Sequence, residues 1–189
     1  MSHASNLPAS EALEKLKKGN EIYLNSDVNS GNISRALRLS AFRNGQAPYA
    51  VIITCSDSRV IPESIFSAGI GELFVIRVAG NVIGDHELGS IEYAADHLGC
   101  RLAVVLGHTN CGAVGAALAG NPGGFVASIT DEIRLAIGGE TDPLKAGILN
   151  VNRSVSRIVQ SLGLSEADGS ALQVVGAMYH IDSGRVEFL

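Results

Sequence analysis

Cysteines are scarce in this chain and clusters of basic residues are missing, and each of these features argues against a class of protein. The 189 residues include only three cysteines and no tryptophan. Three cysteines are too few, and odd in number, for a disulfide framework, which favours a reduced cytoplasmic setting with free thiols. The formal net charge is −5 and no basic run occurs, so we expect no nucleic-acid partner.

Long apolar runs are also missing. No stretch approaches the roughly 18 residues of a membrane-spanning helix, so we expect no membrane partner. Residues 1–13 contain no basic segment followed by an apolar one, so no secretory signal is expected. The chain is nevertheless 46% hydrophobic and only 17% charged, a composition typical of folded globular proteins. Its length suits one domain, which we place at residues 1–189.

Strand and helix patterns alternate from residue 44 onward. Apolar runs of strand length, without polar alternation, predict buried strands at 49–54, 73–78, 102–106 and 172–179, with a short last strand at 186–188. Helical spacing predicts helices between them at 61–68, 87–98, 113–118, 125–137 and 144–162. This alternation predicts an α/β fold with a mostly parallel central β-sheet flanked by helices, which we place at residues 44–189.

The first 43 residues are predicted to form a helical arm. Helices are expected at 9–25, with Ser10 as the N-cap, and at 34–42, with a polar segment between them. Such an amphipathic arm either lies on a neighbouring subunit or packs on its own domain, and the sequence favours neither.

Three predicted strands end in chemically unusual residues. The sequences that follow these strands are CSDSR, RVAGN and GHTNCG. Functional groups of parallel α/β sheets gather outside the carboxyl ends of the strands, so the three motifs are expected to meet there.

Two of these motifs together offer ligands for a divalent metal. Cys55 is followed at spacings of two by Asp57 and Arg59, and His108 is followed three residues later by Cys111. Zinc prefers four ligands and binds thiolate and imidazole groups well, and a site with three protein ligands and one open position is of the catalytic kind. We therefore predict a zinc site at Cys55, His108 and Cys111.

The remaining cysteine and histidines lack such a context. Cys100 lies between a predicted helix and strand and is expected to be structural. His97 is expected at a helix end as a surface or capping group. The other histidines belong to no constellation, and we assign no site to them: His3, His86 and His180.

The motifs resemble those of the β-class carbonic anhydrases. CSDSRV, GELFVIRVAGN, SIEYA and GHTNCGAV occur in the order found in that family, and the similarity runs from about residue 44 to the C-terminus. The resemblance implies one zinc ion per subunit, bound by Cys55, His108 and Cys111. It also implies that Asp57 and Arg59 form a carboxylate–guanidinium dyad beside the metal.

The resemblance further implies a reaction, a pocket and an assembly. The reaction is the reversible hydration of carbon dioxide to bicarbonate and a proton by attack of zinc-bound hydroxide. The pocket lies at a dimer interface, in a homodimer or homotetramer whose N-terminal arms reach across to the partner. The positions that match the family's carbon dioxide pocket are Gln46, Phe74, Ala79, Tyr93 and Gly112.

Two departures from the family pattern stand out. Val78 occupies a position where the family often has Asn, which is expected to change hydrogen bonding near the pocket. The bicarbonate-regulated subgroup commonly has a Trp shortly before the first zinc cysteine, whereas this chain has Ile52, Ile53 and Thr54. We therefore do not expect an allosteric bicarbonate site of that kind.

Asp57 has three possible roles. Paired with Arg59, it can accept a hydrogen bond from the zinc-bound hydroxide. Released from Arg59, it can close the fourth position on the metal, which would make the site a switch. The third possibility is an ion pair that only holds the loop.

Other functions use the same ligands. A hydrolase of carbonyl sulfide or carbon disulfide would share the scaffold, and a zinc-binding regulatory protein would keep Asp57 on the metal. A thiol redox protein is disfavoured because no Cys-x-x-Cys occurs.

For the carbonic anhydrase, two thiolate ligands leave less charge on zinc than three histidines do, so we expect activity to rise into mildly alkaline pH.

Overall fold

A five-stranded sheet organises the chain in the computed structural model, which describes residues 7–120, 123–164 and 172–189. The strands are β1 Ala50–Thr54, β2 Leu73–Arg77, β3 Leu102–His108, β4 Gln173–Tyr179 and β5 Val186–Phe188. Their spatial order is β2-β1-β3-β4-β5, and the first four are parallel, while β5 is antiparallel to β4. The predicted fold class, a mostly parallel α/β sheet with flanking helices, is confirmed.

Helices connect the strands at positions close to those predicted. The helices are α1 Ala9–Leu24, α2 Arg35–Asn44, α3 Pro62–Ile65, α4 Asp85–Leu98, α5 Gly112–Ala119, α6 Ala127–Ile137 and α7 Pro143–Ser161, with 3-10 turns at Ala79–Asn81 and Gly124–Val126. In the described part of the chain, no helix has both the length and the apolar character needed to cross a membrane.

One predicted helix cap is wrong. The first helix begins at Ala9, with Pro8 in the N-cap position and no side-chain cap, so Ser10 already lies inside the helix. The fixed φ of proline favours the first positions of a helix, and here Pro8 (φ −55°, ψ 146°) is the N-cap, two residues before the predicted one. Side-chain caps do occur at α2, where Ser34 accepts from the Leu37 N–H, and at α7, where Asp142 accepts from the Lys145 N–H.

The inner strands of the sheet are buried on both faces, because helices cover the sheet on each side. Every residue of β1 and β3 is buried, as their continuous apolar runs predict. Alternate residues serve opposite faces: Ile52 packs with the α1 side, whereas Val51 and Ile53 pack with α4 and α7. The inner strands therefore contribute side chains to two separate cores, one on each face of the sheet.

The N-terminal helix packs on its own sheet. Leu16 is fully buried, and a Cβ at Gly19 would lie only 2.0 Å from the Phe66 carbonyl oxygen, so glycine permits this close approach. Asn20 donates to the Gly184 carbonyl at 3.0 Å and accepts from the Val186 N–H at 2.9 Å, which ties α1 to the C-terminal hairpin. By contrast, α2 has no buried residue.

The three unusual motifs meet at the carboxyl edge of the sheet. Since β1 lies between β2 and β3, the loops after these strands are neighbours. The Thr54 hydroxyl donates to the Leu106 carbonyl at 2.8 Å, and the Val78 N–H donates to the Thr54 carbonyl at 3.1 Å. These bonds connect the ends of the three strands directly.

Candidate metal centre

Three side chains with metal-binding atoms converge at this edge. Cys55 is the first residue after β1, His108 is the last residue of β3, and Cys111 directly precedes α5. One ligand atom from each lies within 4.8 Å of the others, and the two sulfur atoms are 4.0 Å apart. All three residues are buried, so the chain holds the cluster in place on rigid elements.

The His108 ring is oriented by its neighbour. Its Nδ1 lies 2.9 Å from the Thr109 carbonyl oxygen, which can only accept, so Nδ1 donates, and in the neutral ring Nε2 carries the free lone pair. Within the described residues, Nε2 is buried without a hydrogen-bond partner. A buried polar atom without a partner is unfavourable, and a metal ion shared with the two sulfurs would satisfy it.

The two thiols lie within hydrogen-bonding distance of each other, with their sulfur atoms 4.0 Å apart. The hydrogen bond with Cys111 lowers the pKa of Cys55, against the opposing effect of burial, and the Gly80 N–H, 3.2 Å from Sγ, lowers it further. The same hydrogen bond, together with burial, raises the pKa of Cys111. A set of two sulfurs and one imidazole nitrogen suits zinc.

Asp57 and Arg59 form a two-pronged ion pair beside the cluster. Arg59 Nε donates to Asp57 Oδ1 at 2.9 Å and Nη2 donates to Oδ2 at 2.7 Å, while the Arg59 N–H also reaches Oδ1 at 3.0 Å. The hydrogen bonds from Arg59 hold the pKa of Asp57 below its usual range. Asp57 Oδ2 lies 3.9 Å from His108 Nε2, so the carboxylate faces Arg59 while remaining next to the cluster.

A second arginine, which the sequence interpretation missed, holds the same loop. Arg77 Nε donates to the Cys55 carbonyl at 3.2 Å and its Nη2 donates to the Asp57 carbonyl at 2.6 Å. It is the last residue of β2 and the first residue of the RVAGN motif. Its position at a strand end is the one feature of the sequence that points to a role at the site. Its partners, however, lie 20 and 22 residues away in sequence, so local spacing does not indicate them.

The predicted pocket residues fall into two groups. Gly112 follows Cys111, and Ala79 precedes Gly80, whose N–H reaches Cys55, so both lie beside the ligands. Gln46 is exposed in the segment between α2 and β1.

Phe74 and Tyr93 lie away from the ligands of the same chain. Their ring centroids are 6.2 Å apart, and Tyr93 is 47% exposed. Phe74 lies opposite Val51 on the neighbouring strand. Val51 precedes Cys55 by four residues, so Phe74 and Cys55 are separated by about 13 Å along the strand direction. Within one chain, the structure does not bring this aromatic pair to the metal ligands.

The remaining thiol and histidines lie outside the cluster. Cys100 is buried and its thiol donates to the Pro48 carbonyl at 3.2 Å, and burial raises its pKa to about 11, as suits a structural residue. His97 is exposed in the last turn of α4, its ring 5.2 Å from that of Tyr93. His86 is exposed, His180 lies 3.3 Å from a Glu187 oxygen, and His3 lies outside the described residues.

Fold and site together define a class: α/β proteins with a cluster of two cysteines and a histidine, suited to a metal ion, at the carboxyl edge of a parallel sheet. The sequence pattern of the family described as "Carbonic anhydrase" matches residues 50–186. The chain is 40% identical over 188 residues to "Carbonic anhydrase 2" of Mycobacterium tuberculosis, covering 92% of this chain and 89% of the relative. It is 38% identical over 164 residues to a carbonic anhydrase of Mycolicibacterium smegmatis, covering 79% of each.

Solved structures show the same fold. A Coccomyxa β-carbonic anhydrase in complex with acetazolamide matches with a TM-score of 0.71 at 30% identity, covering 95% of this chain and 85% of that one. A tetrameric β-carbonic anhydrase of Sordaria macrospora matches with a TM-score of 0.67 at 26% identity, covering 82% and 91%. The chain belongs to the β-class carbonic anhydrases, a family of enzymes, which confirms the resemblance seen in the sequence.

Proposed function

We propose that this protein catalyses the reversible hydration of carbon dioxide to bicarbonate and a proton, using one zinc ion per subunit held by Cys55, His108 and Cys111. The observation that carries the proposal is the buried ligand cluster, in which His108 Nε2 has no partner among the described residues. Membership of the β-class carbonic anhydrases supports the same reaction. When bound, zinc would lower the pKa of a water molecule and so supply the nucleophile.

Asp57 is proposed to orient this nucleophile. Held ionised by Arg59, its carboxylate can only accept hydrogen bonds, so a water or hydroxide next to it must point a proton toward Asp57. The oxygen lone pair is then free to face the substrate. Support comes from the position of Oδ2, 3.9 Å from the Nε2 atom that is proposed to bind zinc.

Arg59 is proposed to keep Asp57 away from the metal. Both carboxylate oxygens accept from its guanidinium, which supports the arrangement with an open fourth position. Arg59 also donates to the Asn110 carbonyl at 3.2 Å, in the loop that carries Cys111. If Asp57 left Arg59 it could become the fourth ligand, and the closed state of the switch would follow.

The substrate pocket is proposed to need two copies of the chain. Ala79 and Gly112 would come from the copy that binds the zinc. A second copy would supply Phe74, Tyr93 and Gln46, because Phe74 lies about 13 Å along the strand direction from Cys55 of its own chain. The unburied α2 supports such an assembly, because Ile33 just before it is 68% exposed and Phe42 is 87% exposed. The proposed assembly is a homodimer or homotetramer.

The cellular setting is part of the proposal. All three cysteines are free thiols, and two of them are proposed metal ligands, which supports a reduced compartment such as the cytoplasm.

A stopped-flow assay of carbon dioxide hydration, run from mildly acidic to mildly alkaline pH with zinc measured on the same sample, tests the function. We expect about one zinc per chain and turnover that rises toward alkaline pH. Zinc without turnover at any pH would contradict the proposal and favour a zinc-binding regulatory protein. Parallel assays with carbonyl sulfide and carbon disulfide test the hydrolase alternative, which faster turnover of either would support.

A further inference from the structure

The turn Ala79–Asn81 is held from behind by two buried polar side chains of α7. Asn150 Nδ2 donates to the Gly80 carbonyl at 2.7 Å, and the Ser154 hydroxyl donates to the Asn81 carbonyl at 3.0 Å. Asn150 is 2% exposed and Ser154 is 4% exposed. Both donors come from the same face of α7, since they are four residues apart. Two successive peptide groups of the turn are therefore held in place.

The front of the same turn touches a proposed zinc ligand. The Gly80 N–H donates to Cys55 Sγ at 3.2 Å. A hydrogen bond to a thiolate takes up part of its negative charge, so the sulfur passes less charge to a bound metal. The position of this N–H consequently affects the metal centre.

The turn is in a conformation that needs external support. Gly80 has a φ of 70° and Asn81 a φ of 46°, which places two successive residues in the left-handed region. A Cβ at Gly80 would lie 2.8 Å from the Ile133 side chain, so a larger residue there would also force that side chain to move. Residues in sparsely populated backbone regions persist only where their surroundings hold them, and here α7 provides the hydrogen bonds.

We propose that Asn150 and Ser154 are positioning residues of the metal centre, which hold the Gly80 N–H on the Cys55 sulfur and so limit electron donation from this thiolate. The inference rests on the proposed function, because it assumes a metal ion on Cys55. It assigns to α7, a helix that supplies no metal ligand, an effect on the reactivity of the metal. A purely structural role would lower stability without changing the electronic state of the sulfur.

The test replaces zinc by cobalt(II), whose thiolate charge-transfer absorption reports on the sulfur directly. The variants are Ser154→Ala, Asn150→Ala and the double variant, with Ser154→Thr as the conservative exchange that keeps the hydroxyl. Ser156→Ala and Asn152→Ala are matched controls on the exposed side of α7, where the Ser156 hydroxyl donates to the Asn152 carbonyl of its own helix. Melting temperature, zinc content and the pH profile of turnover are measured on each protein.

We expect the thiolate-to-cobalt band to move to longer wavelength in Ser154→Ala and further in the double variant, because a sulfur without its hydrogen bond gives up electrons more easily. The kcat/KM at neutral pH should fall about 10-fold, with the midpoint of the pH profile moved to alkaline values, whereas Ser154→Thr should keep both near those of the unaltered protein. The two controls should leave the band and the profile unchanged.

An unchanged cobalt band and pH profile in Ser154→Ala and Asn150→Ala, with only a lower melting temperature, would overturn the inference and leave a structural role. The two single variants keep the test decisive if the double variant fails to fold. If the unaltered protein binds cobalt without any thiolate band, the proposed metal site itself is wrong, and this outcome is distinguishable because it does not depend on α7.

Discussion

The orientation of the Asp57 carboxylate is set by one neighbouring residue, Arg59. Arg59 reaches both carboxylate oxygens and also donates its backbone N–H, so three hydrogen bonds within two residues of sequence hold Asp57 away from the cluster. Bidentate arginine–carboxylate pairs combine charge with fixed geometry, which favours one orientation. The carboxylate nevertheless stays close enough to the ligands to act on a molecule bound there.

Replacing Asp57 by Ala should keep zinc and reduce kcat by about 100-fold or more, because an acceptor that orients the nucleophile is lost while all three ligands remain. Stopped-flow hydration and metal analysis on the same sample check this. Ser58→Ala, an exposed neighbour in the same loop, is the control and should keep full activity. Full activity of the Asp57 variant would remove the proposed role.

Replacing Cys55 by Ser should strongly reduce bound zinc, since an alcohol is a much poorer ligand than a thiolate. Metal analysis after dialysis against a weak chelator measures this. The matched control is Cys100→Ser, which changes an equally buried cysteine whose only described partner is the Pro48 carbonyl and which should keep its zinc. A full metal complement in the Cys55 variant would refute that ligand.

At the scale of elements, α1 contributes to the core of its own chain. The sequence left open whether the apolar stripe of α1 packs on its own domain or on a neighbouring subunit. In the structure it packs on the face of the sheet that α3 also covers. Asn20 connects α1 with the segment before β5, more than 160 residues away in sequence. The helix therefore stabilises the sheet by joining the two ends of the described chain.

Leu16→Ala should lower the free energy of unfolding by about 2–5 kcal/mol, because Leu16 is fully buried and its removal leaves a cavity. Urea unfolding followed by circular dichroism measures the change. Ile22→Ala on the same helix is the control, since Ile22 is 47% exposed and should cost much less. Equal losses in the two variants would contradict the packing of α1 on its own sheet.

At the scale of the whole molecule, one chain presents a ligand cluster and an aromatic pair that are separated along the sheet. The proposed pocket combines the two groups from different copies, so assembly and activity are expected to depend on each other. The division of the chain into an arm, residues 1–43, and a core, residues 44–189, stays a prediction. In the described part of this arm, the unburied α2 is the element available to a second copy.

Phe42→Asp should therefore shift the protein toward single chains and lower kcat/KM, because a charge replaces a side chain that is 87% exposed on one copy and proposed to be covered by another. Sedimentation velocity and stopped-flow hydration on the same sample measure both effects. Phe125→Asp makes the same exchange at a phenylalanine that is 98% exposed outside the arm, and it should keep two chains together. An unchanged assembly in the Phe42 variant would exclude α2 from the interface.

The sequence by itself determined the sheet, the helices to within a few residues and the types of ligand at the strand ends. These features can be predicted because a parallel strand that is buried on both faces must be a continuous apolar run. The carboxyl ends of such strands also lie at one edge of the sheet, where the ligand residues follow them. Only the tertiary structure decided which nitrogen of His108 is free, which partner Asp57 takes and where α1 packs. It also revealed Arg77, Asn150 and Ser154, whose partners are 20 or more residues away in sequence. Those features depend on distances between segments that local propensity and spacing do not contain.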